Sequence, residues 1–589
     1  MNASRQTDTL KCDSDLAVYF TNPQSQRQRQ YETIRAIVLE QESIKNAAKR
    51  FRYEVGAIYS LLRDVKSGKL NLFPVIPKGP LQRRTTETIQ DKIISYRKQN
   101  LSTPDIQACL SKEGINISAR TVERILKDCG FGRLKRRTYK ELGKTYKNQI
   151  ISQRTEHLDF SKLEPFNVDC PVAGIFFFIP YILKSGILEI VKKCNLPESS
   201  DIDARGASLA MLLFKLVGDE RLSHIGAYDQ EPGLGVFAGL NVLPKATYMS
   251  TYSCRCSEEQ LMQLQKEATC SFKKKYPHFY NGKFINLDFH SIPHYGIESE
   301  MQKLWCGAKH QNLKSANTVF AQDSENNTIL YTRADILRSE EAGEIKKFIR
   351  YWKNLKGSMD ETLVFDCKFT KYTILDEIAD DHIKFITLRK RYASLVEEAL
   401  NLPKKAWKKI YLPIPKRKYK HASVYEQEIK LDGCNNTFRQ IIVKDHGRST
   451  PTFVITNDKK ISTKKILEVY AKRWHVENKL SELISFFNLN ALSSPLMIRI
   501  HFDIFWTTVA DTLYHIFAQD LRRFESHLAP SIFRKFINMP GRVVYDGEKF
   551  LIKIRKRAHT PILKEVEILT KSFHVPWLAN KSVEIVWTA

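Results

Sequence analysis

At 589 residues, 42% of them hydrophobic, the chain can bury several cores, and its length suggests three to five folded units rather than one. The formal charge of +28 favours a polyanionic partner, nucleic acid being the commonest, though an acidic membrane surface fits the same number. Eleven cysteines without paired CxxC spacing predict reduced thiols inside a cell, and Cys254-Arg255-Cys256 lacks the second close pair that structural zinc takes.

Residues 1–24 read as a polar, patternless tail with no signal-peptide core. Helical punctuation follows over 25–70: Ile34, Ile37 and Val38 form a stripe, Ser43 caps a helix with Ala47, Ala48 and Phe51, and a third helix carries Ile58, Leu61 and Leu62. Residues 71–84, with Pro74, Pro77, Gly79 and Pro80 before Arg83-Arg84, form a linker. A second helical unit spans 85–138, with Ile89, Ile93 and Ile94, a cap and first-turn pair at Thr103-Pro104, and Ser118 capping Val122, Ile125 and Leu126. The basic run Arg133, Lys135, Arg136, Arg137 comes after it. Both units resemble helix-turn-helix DNA-binding domains. Residues 1–150 hold 29 Lys and Arg against 15 Asp and Glu, half of the whole excess, so this quarter is the expected docking surface. In that reading Val55–Arg63 and Ala119–Lys127 enter major grooves, and Arg120, Arg124, Arg133, Arg136 and Arg137 reach bases or phosphates. The alternative is a pair of packing modules whose basic faces are merely solvated.

Residues 139–280 predict a mostly helical connector. Its longest apolar runs end at Lys184 and Lys215 and are too short to span a bilayer. Gly233, Gly235 and Gly239 do not follow a strand, so they make no dinucleotide fingerprint. From 281 the pattern changes. Strands are expected at 283–290, 316–322, 327–333 and 361–366, helices around Ile345–Trp352 and Ile374–Ile378, and a strand at Ile383–Leu388. Three strands, then helix, strand, helix, strand is the order of a ribonuclease-H-like sheet, over 281–404 and again 451–525. A β-rich insertion with Lys416-Arg417-Lys418 fills 405–450, a strand follows at 451–457, one long helix is expected from Ser462 to about Phe487, and 526–589 is a C-terminal region. The predicted fold class is therefore multidomain: all-α helix-turn-helix domains, then an α/β ribonuclease-H-like catalytic domain interrupted by a β-rich insertion.

Three reactive side chains, Tyr470, Arg473 and Glu477, recur at offsets of three and four and share one face of a helix. Asp288 and Asp366 each close a short apolar run upstream. Two strand-end aspartates and a helical glutamate can gather around two divalent cations, and hard oxygen donors favour magnesium or manganese. Arg473 and Glu477 alone could equally be a surface ion pair worth a few tenths of a kcal/mol. His290, two residues past Asp288 on the same strand face, is a candidate for lining the site.

With these residues in view, the chain resembles a DDE transposase of bacterial insertion sequences, from the branch with a β-rich insertion and a Tyr-x2-Arg-x3-Glu signature. The resemblance implies that Asp288, Asp366 and Glu477 are the metal-binding catalytic acids for Mg²⁺ or Mn²⁺, two per site. It implies DNA-end phosphate contacts at Tyr470, Arg473, Asn478 and Lys479; Arg389 and Arg391, in the basic run that leaves the strand after Asp366, are read as further contacts to the cleaved end or equally as a solvated charge run. It also implies double-stranded DNA as partner, at element ends and at target, a homodimer in the synaptic complex, no membrane, and a place at the bacterial nucleoid. One departure stands out: the signature's lysine, seven residues after the glutamate, is Ile484. A transposon-derived DNA-binding regulator without catalysis and a ribonuclease-H-like nuclease without strand transfer remain the alternatives.

Overall fold

A computed structural model describes residues 20–73, 85–132, 134, 154–219, 222–228, 230–296, 301–306, 311–334, 336–414, 420–491 and 496–588. Most of the expected tail, nearly all of the linker, the Lys416-Arg417-Lys418 run, and Arg133, Arg136 and Arg137 lie outside the described residues. The chain divides into two compact units, Met1–Thr86 and Glu87–Ala589.

In the first unit, helices α1 (Gln26–Val38), α2 (Ile44–Phe51) and α3 (Val55–Lys66) pack on Ala36, Ala47, Ala48, Phe51 and Ile58. Ser25 and Ser43 cap the first two helices, each accepting a backbone N–H, and Arg52 makes the turn into α3 in the left-handed region at φ 56°. Of the Ile34-Ile37-Val38 stripe, Ile37 packs against this core, half-buried, while the fully buried face is shifted from the stripe. Glu32, Thr33 and Ala36 are buried, and Val38 is 60% exposed. The small Ala36 lets α1 approach Ala47 and Ala48 closely, and that fit outweighs the larger side chains.

The second unit begins with α4 (Glu87–Lys98), α5 (Thr103–Lys112) and α6 (Ala119–Asp128), packed around Ile93, Ile106, Leu110, Val122 and Leu126. The cap of α5 is Ser102, not Thr103: Ser102 and Asp105 form a reciprocal capping box, which places Thr103-Pro104 inside the first turn. Leu337 joins this core, and the Ser339 hydroxyl donates to Asp91, so these helices are fastened to the rest of the unit.

The expected helical connector does contain a bundle, with α7 (Ala204–Leu216) and α8 (Glu258–Lys275) among its helices. It also holds a strand, β1 (Phe166–Cys170), which pairs with a strand near the C-terminus. Among the described residues no single helix is long and apolar enough to cross a membrane. Ala173–Ser185 and Ile187–Lys193, bent by 59°, pass only as a pair, and their apolar side chains are buried.

The main sheet has ten strands: β2 (Phe284–Pro293), β3 (Gln302–Cys306), β4 (Gln311–Asp323), β5 (Thr328–Arg333), β6 (Thr362–Phe365), β7 (Phe385–Leu388), β8 (Lys408–Tyr411), β9 (His421–Lys430), β10 (Thr437–Lys444) and β11 (Thr452–Thr456). Its central run is β5-β4-β2-β6-β7: β4 is antiparallel to both β5 and β2, and β6 and β7 run parallel to β2. Helices Glu344–Lys356 and Tyr372–Asp380 make the two crossovers. The segment 405–450 is strand-rich but does not interrupt the sheet. β11 hydrogen-bonds to β7 on one side and β10 on the other, so β10, β9 and β8 extend the same sheet.

The helix expected from Ser462 to Phe487 is two helices, α9 (Thr463–Ala471) and α10 (Trp474–Ser485). At the joint, Arg473, His475 and Val476 donate to carbonyls three residues back, tightening the chain as a 3₁₀ turn does. No proline or glycine marks the break. Its cause is tertiary: Ile466, Leu467 and Val469 face the small core under β7 and β11, while Val476, Leu480 and Leu483 face the main core. The core helix α11 (Met497–Gln519) follows. A second sheet, β1-β12-β13-β15-β14, closes the unit with β12 (Gly541–Tyr545), β13 (Lys549–Arg555), β14 (Phe573–Val575) and β15 (Lys581–Thr588).

Candidate active site

The parallel pairing of β2 and β6 explains why two aspartates 78 positions apart meet. Leu287 stands opposite Phe365 in register, so Asp288 and Asp366 are the next residue on each of two neighbouring strands. Asp366 is the first residue past β6 and caps a 3₁₀ turn, its Oδ1 accepting the Lys368 N–H at 2.8 Å. Asp288 Oδ1 accepts the Phe289 N–H at 3.0 Å.

Arg473, at the joint of α9 and α10, ties the strands to the helix. Its Nη1 donates to Asp288 Oδ2 and its Nη2 to Glu477 Oε1, each at 2.9 Å. The guanidinium and Asp288 are 17% and 14% exposed, whereas Glu477 is 57% exposed, so only the first contact is an inside ion pair. Burial pushes the Asp288 carboxyl up to about 6, against the pull of Arg473 and with a further push from the charges of Asp366 and Glu477. Burial works against the charge on Arg473, but Asp288, Tyr470, Glu477 and Asp366 more than reverse it, so the guanidinium holds its proton tightly. Burial likewise pushes the Tyr470 phenol up to about 12, with Arg473 opposing, so it stays a neutral hydroxyl.

A cleft of about 690 Å³ is lined by Asp366, Tyr470, Arg473, Trp474, Glu477 and Asn478 on one side and by His446 and Arg448, between β10 and β11, on another, and Asp288 meets it through Arg473. Trp474, His446 and Arg448 were not expected there. Trp474 could have been found in sequence, one residue past Arg473; the other two arrive only because β10 and β11 join the sheet.

The remaining expected residues are placed differently. Lys479 does not reach the cleft: it is 3% exposed and donates to Asp511 Oδ1 at 2.6 Å and Glu482 Oε2 at 3.1 Å. Two residues past Glu477 on a helix is roughly 200° around the axis, which turns it into the core. Ile484, where the signature has a lysine, packs against that core. His290 is half-buried with its Nε2 2.9 Å from Asn490 Oδ1, and burial lowers its basicity. Arg389 is half-buried and donates to Gln440 Oε1 at 2.9 Å; Arg391 is exposed and donates to Thr450 Oγ1 at 2.9 Å, and its charge acts on Cys367 at the cleft. Arg120 and Arg124 are exposed on α6.

Among the described residues, no three His, Cys, Asp or Glu side chains are grouped as a metal cage. The donor chemistry nonetheless fits a hard divalent cation: Asp288 and Glu477 share Arg473 between them, and the charges of Asp366 and Glu477 both bear on the half-buried Asp288, a surplus that such a cation would relieve.

Residues 305–510 match the family described as the transposase DDE domain, a span that contains Asp366 and Glu477 and begins after Asp288. Among solved structures, a cryo-EM structure of a piggyBac transposase synaptic complex with hairpin DNA is similar at 10% identity and a TM-score of 0.30, covering 59% of this chain and 78% of that one. The Mos1 mariner paired-end complex with Mn is similar at 8% identity and a TM-score of 0.15, covering 58% and 70%, and a pre-cleavage Mos1 transpososome at 8% and 0.15, covering 61% and 77%. At such scores these likenesses carry no argument. No curated protein matches the sequence.

Proposed function

We propose that this chain, a DDE transposase by the family of its residues 305–510, binds the terminal inverted repeats of its element and hydrolyses a phosphodiester there, the freed 3′-hydroxyl then attacking target DNA. The observation that carries the reading is that Asp366 and Glu477 line one cleft together with Arg473, whose guanidinium also bonds Asp288 and so ties strand to helix. The strand order β5-β4-β2-β6-β7 supports a ribonuclease-H-like catalytic core, and the two capped three-helix units with exposed Arg120 and Arg124 support helix-turn-helix binding of the ends.

Asp288, Asp366 and Glu477 are the residues that would hold Mg²⁺ or Mn²⁺. Two such cations, when bound, supply activation of the attacking oxygen and charge stabilisation of the leaving one. The chain's own groups supply positioning. Tyr470, neutral and half-buried, can donate to an oxygen in the cleft without adding charge; Arg473 is a tightly protonated cation able to leave Glu477 for a phosphate; Asn478 and Arg448 line the cleft the backbone would follow. Two element ends brought together call for two copies of the chain.

Incubating the protein with Mn²⁺ or Mg²⁺ and the DNA ends flanking its gene tests this. Cleavage leaving 3′-hydroxyls, joining to a second duplex, and loss of both in Asp366→Asn by about a hundredfold or more are expected. Cutting without joining supports the nuclease, and binding without cutting supports the regulator.

A further inference from the structure

The C-terminal sheet buries one face and leaves the other open. Along β13, Phe550, Ile552 and Ile554 are buried, while Lys549, Leu551, Lys553 and Arg555 alternate onto the outer face. The β12–β13 register sets Arg542 directly opposite Lys553 and Val544 opposite Leu551. Like charges directly opposite destabilise a sheet, and here Arg555 follows on the same strand with Lys556 and Arg557 after it. Asp169 of β1 pairs with Arg542 at 3.0 Å, and Glu584 of β15 pairs with Lys549 at 2.8 Å. Among the described residues no carboxylate forms an ion pair with Lys553, Arg555 or Lys556, all of which reach solvent. Val544, Leu551 and Val586 on the same face are only half-buried and belong to no core.

We propose that this outer face is a second DNA-docking surface, built on other elements than the acid cleft and the helical units, on which Lys553, Arg555 and Lys556 hold the phosphate backbone of a duplex. The choice of DNA as the polyanion rests on the function proposed above; the charge and register do not. A cluster of like charges on a rigid sheet carries a self-repulsion that a bound polyanion relieves, and Lys553 and Arg555, two residues apart on one strand at roughly 7 Å, can each take their own phosphate. The local charge agrees: residues 526–589, which supply β12 to β15, hold 11 Lys and Arg against 5 Asp and Glu.

The test is the salt dependence of duplex binding by the full-length chain, for wild type, for the triple variant Lys553→Gln/Arg555→Gln/Lys556→Gln, and for a charge-matched control, Lys162→Gln/Lys274→Gln/Lys275→Gln, on exposed positions of other elements. The slope of log K against log salt should become shallower by about 2 to 3 in the first variant alone, with affinity near 0.15 M salt lower by roughly tenfold. An unchanged slope, or an equal change in the control, overturns the proposal. So does a variant that binds DNA normally but changes the sedimentation of the DNA-free protein, which would make the face a contact between copies. Metal-dependent cutting with an unchanged slope sinks this surface and spares the transposase; an altered slope in a protein that never cuts does the reverse.

Discussion

Arg473 holds two acids of unequal exposure, and the two contacts should separate in mutants. Glu477→Gln breaks an exposed pair, so stability should stay within about 0.5 kcal/mol by urea denaturation while cleavage falls about a hundredfold or more. Arg473→Gln leaves Asp288 inside with no cation and should cost about 3 kcal/mol in the same assay. Equal losses of stability in the two variants would contradict the division of labour between strand and helix. The period that groups Tyr470, Arg473 and Glu477 was legible in the sequence, but the one helix face it predicts is not what forms: Tyr470 ends up in α9, Glu477 in α10 and Arg473 at the joint. Lys479 was misread as well: proximity to Glu477 in sequence says little about facing, and two residues on a helix point nearly opposite ways.

At the scale of elements, α10 is seated on α11 by a buried charge cluster. Lys479 serves Glu482 and Asp511, and Glu482 Oε1 accepts the Ala529 N–H at 3.0 Å. Lys479→Met should therefore destabilise the protein by about 3–5 kcal/mol, and adding Asp511→Leu should recover a large part of it. Thermal unfolding of the single and double variants reads both. The helix α11 also carries His501, 5% exposed, whose basicity burial lowers to about 4, with Arg333 adding to the effect. A base with a folded pKa below its unfolded ~6.5 binds fewer protons when folded, so its contribution is complete above pH 6.5 and is lost as pH falls toward 4. Between those limits wild type should lose stability about 1.4 kcal/mol per pH unit faster than His501→Gln in denaturant titrations. The break between α9 and α10 was not legible in sequence, since nothing local stops the helix; two cores pulling on two halves of one apolar pattern do.

At the scale of the molecule, Glu87–Ala589 is compact by itself, with α4–α6 fastened to the body through Leu337 and Asp91. A chain of residues 87–589 is expected to unfold in one sharp transition by circular dichroism and to bind duplex DNA with a shallower salt slope than the full chain, having lost a net +7. A broad, non-cooperative transition would show that the first 86 residues are needed for the fold. The sequence by itself determined the caps at Ser43 and Ser118, the strands around Asp288 and Asp366, and the family of the residues between 305 and 510, because these rest on local period and local chemistry. The tertiary structure alone decided that 408–444 extends the main sheet, that β1 pairs across more than 370 residues with β12, and that Lys479 turns inward. Pairing partners and the core a side chain faces depend on contacts distant in sequence, and no local pattern encodes them.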